Sequence, residues 1–183
     1  FRRVLFRSNL GAAYMGLQLL ERERIAAYNN PDLAQKAFEG KEYILERQLK
    51  PEARKDIIEA LKTAGIKPTS MIDISDGLSS ELLHLCKASG TGCSVFADKL
   101  PIDYETAAMA EEMNMDIVTC VLNGGEDYEL LFTIAQQDYD KILPMQDVSL
   151  IGYMQKAEQG CNLITRSGAE IALKAQGFNA FEN

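Results

Sequence analysis

Apolar residues recur along this chain at two spacings, one helical and one alternating, and turn residues separate the two kinds of segment. A helix is predicted from about Asn9 to Tyr28, with small residues (Gly11, Ala12, Ala13, Gly16) that let another backbone approach. Asn30-Pro31-Asp32 breaks it, and a second helix is predicted over about Asp32 to Gln48. Pro51-Glu52 opens a third, since proline suits a first helical position and glutamate a first turn. Ile57, Ile58, Leu61 and Ala64 form its apolar face, and Gly65 ends it. Met71, Ile72 and Ile74 then read as a short buried strand. It stops at a polar turn and becomes a helix with Leu78, Leu82, Leu85 and Cys86 on one face.

Past this strand and helix, residues 92–97 read as a strand, and helices are predicted over 104–113 and 116–122. Gly124-Gly125 turns sharply into a strand over 128–133. A helix over 138–143 is stopped by Pro144, and residues 149–155 form a strand. Two last strands, 161–166 and 169–174, are joined by Ser167-Gly168, a good hairpin turn. Helices and strands mix, with an antiparallel end. The predicted class is α/β or α+β: one mixed sheet with helices packed on it.

Asp73-Ile74-Ser75-Asp76-Gly77 is the stretch that invites chemistry. Ser75 and Asp76 are good helix N-cap residues, and Gly77 permits an unusual backbone. Two carboxylates and a hydroxyl gather at the positive end of a helix, a place that suits Mg2+ and the phosphates it carries. On the residues alone, a cap at Asp76 and a turn residue at Asp73 are the plainer account of the pattern. Glu126, after a double glycine, is either an exposed functional carboxylate or an ordinary turn residue. Asp127 reads as a cap or brace, and Glu129 as facing solvent by alternation with Tyr128 and Leu130.

Composition narrows the partners. The 183 residues are 46% hydrophobic and 25% charged, ordinary for one globular domain. A net charge of −8 without a basic stripe argues against nucleic acid, and no apolar run is long enough to span a membrane. Cys86, Cys93, Cys120 and Cys161 contain no C-x-x-C pair, and His84 is the single histidine. That spacing argues against a zinc site and for a reduced, cytoplasmic protein. In residues 1–8 charges and apolar residues interleave, unlike a signal peptide. That segment is expected to be foreign to the native domain or a remnant.

Asp73-Ile74-Ser75-Asp76-Gly77-Leu78, Asp98-Lys99-Leu100-Pro101-Ile102 and Asn123-Gly124-Gly125-Glu126-Asp127-Tyr128-Glu129-Leu130 closely resemble, in order and spacing, motifs of the second half of thiamine-monophosphate kinases. These belong to the aminoimidazole-ribonucleotide synthetase superfamily. The resemblance runs from about Asn9 to near the C-terminus. It implies a three-layer α/β/α-like C-terminal domain over residues 9–183, with the N-terminal domain that carries most of the ATP and Mg2+ machinery absent. It implies direct, Mg2+-dependent transfer of the γ-phosphoryl group of ATP to thiamine monophosphate, giving thiamine diphosphate.

The same resemblance assigns Asp73 and Asp76 to Mg2+, Ser75 to the nucleotide, and Glu126 and Phe178 to the thiamine substrate. It also implies a homodimeric full-length protein and an isolated fragment without activity. No residue is singled out as catalytic, since a phosphate monoester with a second pKa near 6 is already an ionised nucleophile at neutral pH. His84 is expected at the surface or in packing. Arg47, Lys50 and Arg54 are left between a phosphate contact and a solvated basic face. Read without the resemblance, Phe178 after Gly177 is an aromatic that tucks a tail onto the core. The competing readings are another superfamily member, of selenophosphate synthetase or hydrogenase-maturation type, and a non-catalytic assembly module.

Overall fold

The structure, a computed structural model, describes residues 2–7, 9–29, 38–145 and 147–175. Its frame is a seven-stranded mixed sheet in the order β2-β4-β1-β5-β3-β6-β7. The strands are β1 (Arg2–Arg7), β2 (Ser70–Asp73), β3 (Thr91–Phe96), β4 (Leu130–Ala135), β5 (Val148–Lys156), β6 (Cys161–Ile164) and β7 (Glu170–Ala172). Only β3 and β6 pair in parallel; every other neighbouring pair is antiparallel. Arg2–Arg7, set apart from the domain in the sequence reading, pairs with β4 on one side and β5 on the other.

Seven helices accompany the strands among the described residues: α1 (Ala12–Asn29), α2 (Glu42–Leu49), α3 (Lys55–Thr63), α4 (Leu78–Ser89), α5 (Tyr104–Glu112), α6 (Ile117–Asn123) and α7 (Tyr139–Ile142). They cover both faces of the sheet because its strands alternate. In β4, Leu131 packs with Leu78, Leu82 and Val121 of α4 and α6, while Phe132 and Ile134 pack with Ile57 and Leu61 of α3 and Ile142 of α7. Leu150 and Ile151 of β5 divide in the same way. The mixed sheet with helices on two sides agrees with the expected class. A third apolar cluster joins α1, α2, α5 and α6 through Met15, Leu19, Ile44, Met109 and Cys120.

Element boundaries moved where local capping chemistry decided them. Asp103 and Asp116 each accept from a backbone N–H three residues on, at 2.6 and 2.8 Å, so α5 opens at Tyr104 as expected, while α6 opens at Ile117, one residue later than expected. The third helix begins at Lys55 and not at Pro51, so Pro51 lies outside it. The β4 strand begins at Leu130, leaving Glu126–Glu129 as an irregular approach to it. The expected start of the second helix, and Phe178, lie outside the described residues.

Candidate functional site

The Asp73 turn and the Glu126 turn, about fifty residues apart in sequence, are stitched together by backbone hydrogen bonds. The Glu126 N–H donates to the Ser75 carbonyl at 2.8 Å, and the Tyr128 N–H donates to the Ile74 carbonyl at 2.8 Å. In return the Ile74 N–H donates to the Glu129 carbonyl at 2.9 Å. These bonds extend the β2–β4 pairing past the ends of both strands, with Asp73 opposite Leu130 at its last register position. Ile74 is fully buried between them, while Asp73 and Asp76 remain exposed.

Two glycines make that approach possible. Gly77 has φ 110°, and a Cβ there would lie 2.8 Å from the Asn123 Cα and the Leu122 carbonyl oxygen. Gly125 has φ 70°, and its Cβ would lie 2.4 Å from the Ser75 carbonyl oxygen. No side chain fits either gap, and both backbones are in a region that L-residues avoid. Glu126 and Tyr128 nevertheless take positive φ, 65° and 50°. Strain of this kind persists only where the surroundings over-determine it, and here the paired backbone of the Asp73 turn does so. The result exposes the Glu126 carboxylate.

Neither Ser75 nor Asp76 caps α4. Gly77 is the N-cap and provides no side chain, so the expected capping role is replaced by a different one. The Asp76 N–H donates to Glu81 Oε1 at 3.1 Å, so a carboxylate from the first turn of α4 holds the loop from behind. Glu81 is buried, and burial pushes its carboxyl above the usual range despite the backbone donors that lower it. Its Oε2 is buried with no hydrogen-bond partner among the described residues. Sequence reasoning passed over Glu81. The signal was present in its spacing of one helical turn from the loop, close to a capping box.

Asp73, Asp76 and Glu126 share one electrostatic rim. The Tyr128 hydroxyl donates to Glu126 Oε2 at 3.1 Å, and that bond pushes the Tyr128 pKa up. The charges of Glu126, Asp73 and Asp76 push it further in the same direction. The carboxylates do not close into a tight three-ligand cage: the one such group among the described residues is Cys86, Cys93 and Cys161. A cleft of about 700 Å³ also lies elsewhere, between Gly90-Thr91 and the Met154–Glu158 stretch.

Behind the rim, the rest of the Glu126 motif is structural. Asp127 is buried and accepts from the Gly11 N–H at 2.8 Å and the Ala13 N–H at 3.3 Å, satisfying amides at the start of α1. Burial raises its pKa to about 6 against those two donors. Glu129 is fully buried and not solvent-facing as alternation implied. Its Oε1 accepts from Arg47 at 2.8 Å and Arg54 at 3.2 Å. Alternation failed because Glu129 precedes the strand and does not belong to it. The same pairs account for Arg47 and Arg54. Lys50 is exposed, 3.5 Å from Glu46. His84 is exposed on α4.

No protein-family model matches the chain. Among curated proteins, the thiamine-monophosphate kinase of Buchnera aphidicola subsp. Schizaphis graminum is 32% identical, over 97% of this chain and 52% of the relative. Among solved structures, AaThiL complexed with AMPPCP and TMP superimposes with a TM-score of 0.78 at 27% identity, over 98% of this chain and 51% of that one. Escherichia coli HypE, a hydrogenase maturation protein, shares the fold alone, with a TM-score of 0.66 at 14% identity over 97% of this chain and 50% of HypE. The chain spans about half the length of the curated relatives it matches. By sequence over nearly its whole length, and by fold, the chain is a homologue of the C-terminal part of thiamine-monophosphate kinases.

Proposed function

We propose that residues 9–183 are the C-terminal domain of a cytoplasmic, homodimeric kinase that moves the γ-phosphoryl group of ATP to thiamine monophosphate, yielding thiamine diphosphate and ADP. The observation that carries this reading is the docking of the Asp73 turn onto the Glu126 turn. It brings Asp73, Ser75, Asp76 and Glu126 to one exposed rim at the start of α4. The relatives' shared activity, and the ATP analogue and TMP in AaThiL, support it. With relatives about twice its length, the chain by itself is proposed to fold without turning over.

The donor set fits Mg2+. Asp73 and Asp76 offer hard carboxylate oxygens to solvent, and Glu81 holds the Asp76 backbone from behind. Mg2+ keeps several waters and takes one or two carboxylates plus substrate phosphates, so a loose rim suits it better than a closed cage. When bound, Mg2+ supplies neutralisation of the repulsion between two anionic phosphates. Asp73 and Asp76 would hold it. Ser75 would orient the nucleotide with its hydroxyl. Glu126 and Phe178 would take the thiamine end, whose thiazolium is planar and cationic and so suits a carboxylate and an aromatic face. The phosphate nucleophile is already ionised, so no general base is required.

Turnover of the two-domain protein across a Mg2+ titration tests the reading. Asp73→Asn and Asp76→Asn should each lower turnover at least about tenfold at low Mg2+, a loss of ~1.4 kcal/mol or more, with the fold intact. Turnover near wild type at low Mg2+ removes both from the metal role. Phe178→Ala should raise the thiamine monophosphate KM by about two- to thirtyfold, the worth of a partly desolvated cation–π contact. Glu126→Gln should act in the same direction. A rise in the ATP KM instead would move both residues to the nucleotide.

A further inference from the structure

Three of the four cysteines, dispersed in sequence, converge in the core. Cys93 and Cys161 are register partners on the parallel strands β3 and β6. Register partners put their side chains on the same face of a sheet, and both pack in the cluster that α4 covers. Cys86, in the last turns of α4, faces them from that helix. The three sulfurs all lie within 4.8 Å of one another. The fold leaves little slack: α4 passes through Gly90, at φ 62°, directly into β3.

We propose that Cys86, Cys93 and Cys161 form a binding site for one soft cation, with monovalent copper as the chemistry it suits best. Thiolates bonded to a metal at about 2.3 Å in a trigonal arrangement stand ~4 Å apart, so this triangle closes on an ion with small side-chain shifts. No histidine, carboxylate or fourth cysteine joins the set among the described residues. Three sulfurs without a fourth ligand favour copper(I) over zinc, which takes four. The buried hydroxyl of Thr91 lies against Cys86. Thr91 and Met154, which pairs with Cys93, also line the cleft of about 700 Å³, so neighbours of the cluster border open solvent.

Loading exchanges protons for the cation: each coordinating thiol releases its proton to solvent, and no electron is transferred. A bound ion would tie the end of α4 to β3 and β6, behind the helix whose start carries the Asp76 turn. Nothing in the phosphoryl-transfer reading uses these three residues.

The test is anaerobic titration of the reduced chain with copper(I) against a coloured copper(I) chelator. One equivalent should be withdrawn from the chelator, with a rise in Tm. Cys86→Ser, Cys93→Ser and Cys161→Ser should each weaken binding by more than the about 10–100-fold that loss of an outer-shell partner causes. Cys120→Ser should leave it unchanged, because Cys120 belongs to the separate α1–α2–α5–α6 cluster. X-ray absorption of the copper-loaded wild-type chain needs no variant and should give three sulfur neighbours. A chain that leaves the copper with the chelator, a two-sulfur or nitrogen–oxygen shell, or loss of binding in Cys120→Ser overturns the proposal.

Discussion

The Glu126 N–H is hydrogen-bonded to the Ser75 carbonyl at 2.8 Å, and this bond joins the two turns that carry the candidate chemistry. It exists because Gly125 leaves room: a Cβ there would lie 2.4 Å from the Ser75 oxygen. The exposed carboxylates on either side owe their proximity to a backbone contact that a single methyl group would prevent.

Gly125→Ala should therefore destabilise the chain by more than the conformational cost alone. Gly65 supplies the comparison, with φ 63° and nothing within 4 Å of its would-be Cβ. Gly65→Ala should cost about 1–2 kcal/mol, the strain of a left-handed alanine. Gly125→Ala should cost at least ~2 kcal/mol more, in line with other overpacked sites. Urea unfolding of the two variants gives the difference directly. Equal losses would mean that the turns separate easily and that their contact is not tight.

Glu129 is fully buried between Arg47 and Arg54, so removing the carboxylate strands two guanidinium groups, whereas removing Arg47 leaves Glu129 with Arg54. Glu129→Gln should cost about 3–5 kcal/mol and Arg47→Met clearly less. The double variant should cost less than the sum, since Arg47 and Glu129 are then not left without each other. Arg54 should couple to Glu129 more weakly, its contact being 3.2 Å against 2.8 Å. Strict additivity of Arg47→Met and Glu129→Gln in a double-mutant cycle would contradict the pairing.

Asp127 predicts a pH dependence. In the folded chain burial raises its pKa to about 6 from an ordinary 3.8. Between these values the folded state holds more protons than the unfolded one, so the Asp127 contribution to stability falls as pH rises from about 4 to about 6. Each unit of that difference is worth roughly 1.4 kcal/mol. Asp127→Asn removes the titration, so the stability of the variant relative to wild type should improve across this window. Urea unfolding of both chains at several pH values measures it. The opposite trend would mean that the Gly11 and Ala13 amides outweigh burial.

Much of this was legible in the residues. The apolar faces of α3 and α4, the terminating Gly65 and the hairpin at Ser167-Gly168 follow from local periodicity and turn chemistry. The motifs around Asp73 and Glu126 stood out because glycines flank carboxylates. What the sequence hid was long-range. Glu129 was read by strand alternation, yet its environment is set by Arg47 and Arg54, some eighty residues away. Asp127 serves amides at Gly11 and Ala13 that no local window contains. Spacing along the chain likewise spoke against a metal-binding set of cysteines, whereas the parallel register of β3 and β6 brings Cys93 and Cys161 side by side.

The central claim is that Asp73 and Asp76 hold a divalent cation with the Glu126 turn docked beside them. Backbone amide NMR of the chain during titration with Mn2+, a paramagnetic stand-in for Mg2+, tests it most directly. Signals of Asp73, Ser75, Asp76, Gly77 and Glu126 should broaden first and together, should recover when excess Mg2+ is added, and should be spared in Asp73→Asn combined with Asp76→Asn. Broadening that begins at other acidic patches, or that affects one turn and leaves the other sharp, would contradict the account.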